Sequence, residues 1–225
     1  MKTPFASEVL AMTNPKTRVI LTFVMLTGLW LTSISGGQQP KLRALDQEVS
    51  GLELREVSPS LVIERVAKSC KAPIGFEATP QESYKINVII EQGTVRNVLD
   101  QIVQADSRYE WTEADGVINV SPRVNRSPML ETVVRRFSVA QVNRDDAISA
   151  IFELPEVKVA QMDVKRRDFG SLPAKPYNSV PQVSLKLSNV TVRTILNEIM
   201  KASGDNYWVF FRYGDHNEYF SVSMS

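Results

Sequence analysis

A repeat at a constant spacing of 97 residues constrains the fold of this chain more than any other feature of its sequence. The tripeptide Thr94-Val95-Arg96 recurs as Thr191-Val192-Arg193. The same spacing relates four further identical pairs: Leu99 and Leu196, Ile102 and Ile199, Ala105 and Ala202, Trp111 and Trp208. Self-similarity at a fixed period is typical of chains built from copies of one structural unit. We therefore predict two related halves.

Each copy of the repeat contains the pattern of an amphipathic helix. Apolar residues fall at i, i+3, i+4, i+7 and i+8 in both copies, as Val95, Val98, Leu99, Ile102 and Val103 and as Val192, Ile195, Leu196, Ile199 and Met200. This spacing places one apolar stripe on a helix surface. Thr94 and Thr191 precede the two helices, where a threonine hydroxyl can accept from a free first-turn amide. No Glu follows three residues later to complete a capping box.

The flanking segments predict the remaining elements of each half. Alternating apolar residues predict a strand before each helix, and turn residues between apolar runs predict a hairpin after it. An earlier strand and helix precede these elements, so each half should run strand, helix, strand, helix, strand, strand. The predicted segments are 52–57, 61–70, 86–90, 94–103, 109–111 and 117–120 in the first half, and 133–139, 147–152, 183–187, 191–200, 207–211 and 219–222 in the second.

These elements predict an α+β protein made of two tandem small modules, each with about two helices and a short mixed β-sheet. We place the first module at 41–125 and the second at 126–225. The second has a longer loop at 156–181, which contains Lys165-Arg166-Arg167 and several prolines. A loop of this length is usually functional or disordered.

The first 40 residues have the layout of a targeting segment. An uncharged apolar run spans 19–34, follows Lys16 and Arg18, and precedes small and polar residues. Its length fits the apolar region of a signal peptide better than a membrane span of about 20 residues. Small residues place a cleavage site before Gly36 or Gln38; the alternative is an uncleaved anchor at residues 19–35. Either alternative places the rest of the chain in the periplasm or outside the cell, and limits membrane contact to this segment.

Composition excludes several classes of function. The net charge is +1, from 26 basic and 25 acidic residues, which lacks the basic excess of a nucleic-acid-binding protein. One Cys and one His in the whole chain rule out disulfide frameworks and Cys/His zinc sites within one chain. We therefore predict no cofactor, no metal site, no catalytic residue and no nucleic-acid partner.

The residues that carry reactive groups have structural explanations. We interpret His216 as part of a solvated hairpin tip and Cys70 as a core residue on the apolar stripe of a helix. Asp145-Asp146 lies at a predicted helix start, where the helix dipole favours carboxylates. Trp111 and Trp208 occupy equivalent strands and are interpreted as core residues, and Lys165-Arg166-Arg167 as a solvated loop.

The first half resembles the secretin and TonB short N-terminal domain, abbreviated STN. The resemblance lies in three segments, SLVIERVAKSCKAPIGF, YKINVIIEQGTVRNVLDQIVQADSRYEW and GVINVSP, and covers residues 52–122. The segment VSLKLSNVTVRTILNEIM makes residues 131–224 a partial second copy. The resemblance implies a small periplasmic α+β module that docks protein partners in the cell envelope, at secretion channels or TonB-dependent receptors. No channel-forming region follows in this sequence.

These observations predict an exported, non-enzymatic envelope protein that acts as a protein-binding or assembly module. Its partner would be an envelope protein, in a secretin or TonB-type system if the resemblance extends to function. Two alternatives are a periplasmic enzyme of the hydrolase class, with a site that the sequence does not show, and a membrane-tethered structural protein. Buried carboxylates gathered in a cleft would favour the enzyme, whereas an unpaired strand edge or an apolar patch would favour the binding protein.

Overall fold

The computed structural model describes residues 43–79, 84–160, 164–166, 181–213 and 218–225. Within these residues the chain is a mixed α+β protein with six α-helices and ten strands. The strands form one six-stranded sheet and two two-stranded sheets. The predicted fold class is therefore confirmed as α+β, and the targeting segment at 1–40 lies outside the described residues.

The first half begins with a short 3₁₀ turn at Ala44–Asp46, and its elements follow in the order strand, helix, strand, strand, helix, strand, strand. They are β1 (Glu48–Val57), α1 (Pro59–Cys70), β2 (Ile74–Glu77), β3 (Ile86–Thr94), α2 (Val95–Ala105), β4 (Tyr109–Ala114) and β5 (Val117–Pro122). Each predicted element is present, and β2 is an additional strand that the alternation pattern missed.

The second half repeats this order and adds two helices of four and six residues. Its elements are α3 (Pro128–Glu131), β6 (Val133–Val142), α4 (Arg144–Phe152), α5 (Pro155–Ala160), β7 (Val164–Arg166), β8 (Val183–Thr191), α6 (Val192–Ser203), β9 (Tyr207–Tyr213) and β10 (Glu218–Met224). The segment 156–181, expected to be a loop, therefore contains most of α5 and all of β7. Pro155 begins α5, because proline at the first helical turn loses no hydrogen bond.

Side chains at the helix starts explain where the helices begin. Thr191 Oγ1 accepts from the amide of Thr194 at 3.2 Å, as predicted for an N-cap. At α2 the reciprocal bond comes from Asn97, whose Oδ1 accepts from the amide of Thr94 at 2.8 Å. An asparagine thus completes the capping box in place of the absent Glu.

The two-stranded sheets β1–β3 and β6–β8 share an irregularity at the same place. Both antiparallel registers shift near the end of the first strand, and Glu56 and Gln141 adopt φ values of 51° and 53° there. The amide of Glu56 donates to Asn87 Oδ1, and the amide of Gln141 donates to Ser184 Oγ, both at 2.9 Å. A matching β-bulge with a matching side-chain acceptor is structural support for the repeat. The division into modules 41–125 and 126–225 remains a prediction.

The six-stranded sheet has the order β4-β5-β2-β9-β10-β7 and joins the two halves. The joint is a parallel pair, in which Ile74 to Glu77 of β2 lie opposite Tyr207 to Phe210 of β9. Alternate residues of β9 belong to different cores: Tyr207 and Val209 pack with α1 and α2, whereas Trp208 and Phe210 pack with α4 and α6. Because successive side chains of a strand point to opposite faces, the helices of the two halves cover opposite faces of this sheet.

Candidate binding surfaces

The joint between β2 and β9 is tightly packed around a tryptophan and a glycine. The Trp208 side chain is fully buried and lies directly over Gly75, its partner in the strand pair. A Cβ atom added to Gly75 would lie 2.4 Å from Cε2 and Cζ2 of that indole, well inside van der Waals contact. Glycine at this position is therefore required by the close approach of the ring.

Backbone hydrogen bonds fix the register of the joint. The amide of Ile74 donates to the carbonyl of Asn206 at 2.9 Å, and the amide of Ala78 donates to the carbonyl of Phe210 at 2.8 Å. Every second residue of β9 thus directs its backbone groups towards β2, as expected of a parallel pair.

A buried ionic network supports the joint on the face that α6 covers. Arg193 of α6 donates from Nη2 to Glu77 Oε2 at 2.5 Å and to Glu131 Oε1 at 2.7 Å. The other oxygen of Glu77 accepts from the amide of Ser127 at 2.5 Å. Glu77 is only 2% exposed, so its charge is stabilised by the guanidinium and the amide rather than by water.

Amide side chains extend this network to the tryptophan. Trp208 Nε1 donates to Asn197 Oδ1 at 2.7 Å, and Asn197 Nδ2 donates to Asn119 Oδ1 at 3.2 Å. The guanidinium carbon of Arg193 lies 6.0 Å from the centre of the Trp208 ring. The indole is therefore held on its polar edge and against one face, and its position over Gly75 is fixed.

A small cleft lies beside the network. It has a volume of about 160 Å³, and its lining includes Arg126, Arg193, Asn197 and Glu198. Arg193 Nη1 is buried and has no hydrogen-bond partner among the described residues. Two of the lining carboxylates form ion pairs, Glu131 with Arg193 and Glu198 with Lys201. Both of these pairs lie within the second half, whereas Arg193 and Asn197 also bond across the joint, to Glu77 and Asn119.

Tyr207, at the start of β9, is the residue of the joint with a shifted pKa. Burial raises the pKa of its phenol above the usual value, because the charged phenolate would lose hydration, and nearby Glu64 raises it further. The ammonium of Lys68 lies 5.5 Å from the centre of the Tyr207 ring.

The outer edge of β4 is a second candidate surface. Strand order places β4 at the end of the six-stranded sheet, and no described strand pairs with its outer side. The amide of Ile118 in β5 donates to the carbonyl of Pro73, so the backbone groups of Ile118 point towards β2 and away from β4. Glu113 lies opposite Ile118 in the antiparallel hairpin, and its backbone groups therefore point away from β5, to the open side of β4. By alternation the same holds for Tyr109 and Trp111.

Side chains hold Trp111 at this edge. Trp111 is half-buried, its Nε1 donates to Asp100 Oδ1 at 3.0 Å, and the guanidinium carbon of Arg96 lies 5.3 Å from the ring centre. Arg123 Nε donates to the carbonyl of Tyr109 at 3.1 Å. The core interpretation is thus confirmed for Trp208, whereas Trp111 is only partly covered.

The structure assigns local roles to two of the other reactive groups. Cys70 is half-buried at the end of α1, with Sγ 3.6 Å from the carbonyl of Glu48, and packs against the core of the first half. Asp145 and Asp146 occupy the first turn of α4, as predicted, while the N-cap is Asn143, whose Oδ1 accepts from the amide of Asp146 at 2.8 Å.

The other predicted positions are partly outside the described residues. His216 and Arg167 lie outside them. Lys165 and Arg166 belong to β7, which pairs in parallel with β10, so their assignment to a loop was wrong. No group of three or more His, Cys, Asp or Glu residues with the geometry of a metal site occurs among the described residues. In the same part of the chain, no helix is long and apolar enough to span a membrane.

Sequence reasoning missed the residues of the joint. An isolated glycine in the apolar run Ile74 to Phe76 is a known signal of a close backbone approach and could have indicated Gly75. Arg193 was visible in the repeated tripeptide, but its partner Glu77 was not, because the pair depends on contact between the two halves.

Comparison of the chain with protein-family models, with curated proteins and with solved structures returned no match.

Proposed function

We propose that this protein is an exported, non-enzymatic envelope component that binds another protein by accepting one of its strands at the open edge of β4. The observation that carries this proposal is the sheet itself. Its two halves are joined by lateral addition of β9 to β2, and the outer edge of β4 is left without a partner among the described residues. An unpaired edge is a template for strand addition.

The chemistry of the edge supports binding in preference to aggregation. Thr112, Glu113 and Ala114 are exposed, and Glu110 is held by Arg123 and Arg126. Charged and polar side chains keep an edge from pairing unselectively, while the outward backbone groups of Trp111 and Glu113 face no strand among the described residues. The resemblance to STN domains supports the same function, with a proposed partner in a secretin or TonB-type assembly.

Photocrosslinking in the native cell tests this proposal. A photoreactive residue at Thr112, on the exposed edge of β4, should give a covalent adduct with an envelope protein that mass spectrometry identifies. The control carries the same group at Arg65, an exposed residue of α1, and should not give that adduct. Equal adducts at both positions, or none at Thr112, would contradict binding at the edge.

Cell fractionation tests the proposed location separately. The protein should fractionate with the envelope, and, if the targeting segment is cleaved, its first residue should lie between Gly36 and Gln38. Recovery of the bulk of the protein from the cytoplasm with residues 1–35 intact would refute export.

A further inference from the structure

We infer that the partner strand at the β4 edge runs parallel to β4 and places a glycine against Trp111. This inference rests on the proposed function, because it specifies the segment that the same edge accepts. It follows from a comparison of the two tryptophans of the repeat.

The surroundings of Trp111 reproduce those of Trp208. In each half the indole Nε1 donates to a side-chain oxygen on the helix that precedes it, at 3.0 Å to Asp100 and at 2.7 Å to Asn197. In each half the arginine of the repeated tripeptide also lies by the ring, at 5.3 Å for Arg96 and 6.0 Å for Arg193. Asp100 and Asn197 are 97 residues apart, and so are Arg96 and Arg193, like the two tryptophans themselves.

The ring held in this way in the second half reaches over the neighbouring strand. The Trp208 indole covers Gly75 of β2 so closely that a Cβ there would overlap with it. Trp111 has the same two fixed contacts, and its strand β4 corresponds to β9. The Trp111 indole therefore extends over the open side of β4, where only a residue without a side chain fits beneath it.

The register of the partner strand follows from the joint. At the joint, the amide of Ile74, one residue before Gly75, donates to the carbonyl of Asn206, and the amide of Ala78, three residues after Gly75 and just past β2, donates to the carbonyl of Phe210. Tyr109 lies two residues before Trp111 and Glu113 two residues after it, just as Asn206 and Phe210 flank Trp208. The carbonyls of Tyr109 and Glu113 should therefore accept from the partner's amides one residue before and three residues after its glycine. Arg123, whose side chain is 51% exposed, would release the carbonyl of Tyr109 when the strand binds.

One difference between the halves restricts the partner further. By the spacing of 97 residues, Glu113 corresponds to Phe210, which lies opposite Glu77 of β2. The partner residue that takes the place of Glu77 would therefore lie opposite Glu113. A like charge directly opposite Glu113 would be unfavourable. The partner strand should therefore carry no acidic residue two positions after its glycine. β2 is already paired on both sides, by β5 and β9, so β2 of this chain is not the occupant, and the partner protein of the proposed function supplies the strand.

A peptide with the sequence of residues 72–79 and glutamine in place of Glu77 is the probe. We expect this glycine peptide, labelled with a fluorophore, to bind the full chain without the targeting segment, as measured by anisotropy. Peptides with Gly75→Ala or Gly75→Val should bind about tenfold more weakly or worse, because their Cβ atoms overlap with the indole. The Trp111→Ala variant should lose this discrimination, whereas Arg65→Ala should keep it.

Mapping of the bound peptide separates the edge from the joint. A photoreactive group on the peptide should label β4, and labelling of β9 would mean that the peptide has replaced β2. The comparison of glycine and valine peptides on the unchanged protein needs no variant, so it holds even if Trp111→Ala fails to fold. Equal binding of all three peptides, no binding at millimolar concentration, or labelling of β9 would each overturn the inference.

The outcome also distinguishes this inference from the function on which it rests. If Thr112 gives its adduct in cells but the peptides show no preference for glycine, the binding function stands and the glycine requirement is refuted. If Thr112 gives no adduct, the binding function itself is refuted.

Discussion

The substitution Gly75→Ala tests the packing of the joint most directly. The added methyl group would lie 2.4 Å from the Trp208 indole, against an ordinary contact of about 3.5–4.0 Å between carbon atoms. The ring cannot turn away freely, because Asn197 accepts from its Nε1 and it is fully buried. Overpacking of a rigid core costs about 1–3 kcal/mol, and this overlap places the expected loss of unfolding free energy at about 3 kcal/mol.

Urea denaturation followed by tryptophan fluorescence and circular dichroism measures this loss. Gly93→Ala is the matched control, because its nearest atoms lie farther away, at 3.1 Å, and belong to the side chains of Asn97 and Ile90. We expect the control to change the unfolding free energy by less than about 1 kcal/mol.

A double-mutant cycle assigns the loss to the tryptophan. In a protein that already carries Trp208→Leu, Gly75→Ala should cost less than about 1 kcal/mol, since the smaller side chain leaves room for the methyl group. If Gly75→Ala is as stable as the Gly93→Ala control, or if its cost is the same with and without Trp208, the indole does not require glycine at position 75.

Three further perturbations test the cores, the ionic network and the buried phenol. Leu99→Ala and Leu196→Ala remove side chains that are each 1% exposed, and each should lower the unfolding free energy by about 2–5 kcal/mol; a loss below about 1 kcal/mol in either would show that the stripe is not buried. Glu77→Ala leaves Arg193 without its buried partner on β2 and should cost about 3–5 kcal/mol in the same denaturation assay, whereas an exposed carboxylate such as Glu53 should tolerate alanine with little change. Because the folded protein raises the pKa of Tyr207, the unfolded chain releases this proton first as the pH rises, so stability should fall above about pH 10; Tyr207→Phe should flatten that fall, and an unchanged pH profile would argue against the shift.

Most elements could be predicted from the sequence because their patterns are local. The apolar stripe of α2 and the turn at Asp115-Gly116 specify their structures within a few residues, and both occur as expected. β2 was missed because Ile74 to Glu77 is buried along its whole length and does not alternate. A short apolar run of this kind does not distinguish a strand from other buried structure.

The binding surfaces could not be predicted, since they depend on contacts between distant segments. Trp111 and Trp208 have equivalent positions in the repeat, and the flanking residues, polar around Trp111 and apolar around Trp208, indicate that the two strands differ in burial but do not show which strand lies beside each. Their different burial arises because β2 lies beside Trp208 and no described strand lies beside Trp111. The identity of the neighbouring strand follows only from the order of strands in the sheet.

The parallel pair of β2 and β9 also has a consequence for the rates of folding and unfolding. The pair joins segments about 130 residues apart in the chain, whereas the hairpins β4–β5 and β9–β10 join near neighbours. Because closure of a long loop costs more entropy and non-local contacts form slowly, the joint should be among the last parts to form. Contacts made after the transition state govern how fast a protein unfolds. The glycine and the tryptophan of the joint should therefore set the lifetime of the folded state, while the local hairpins and helices set how quickly it is reached.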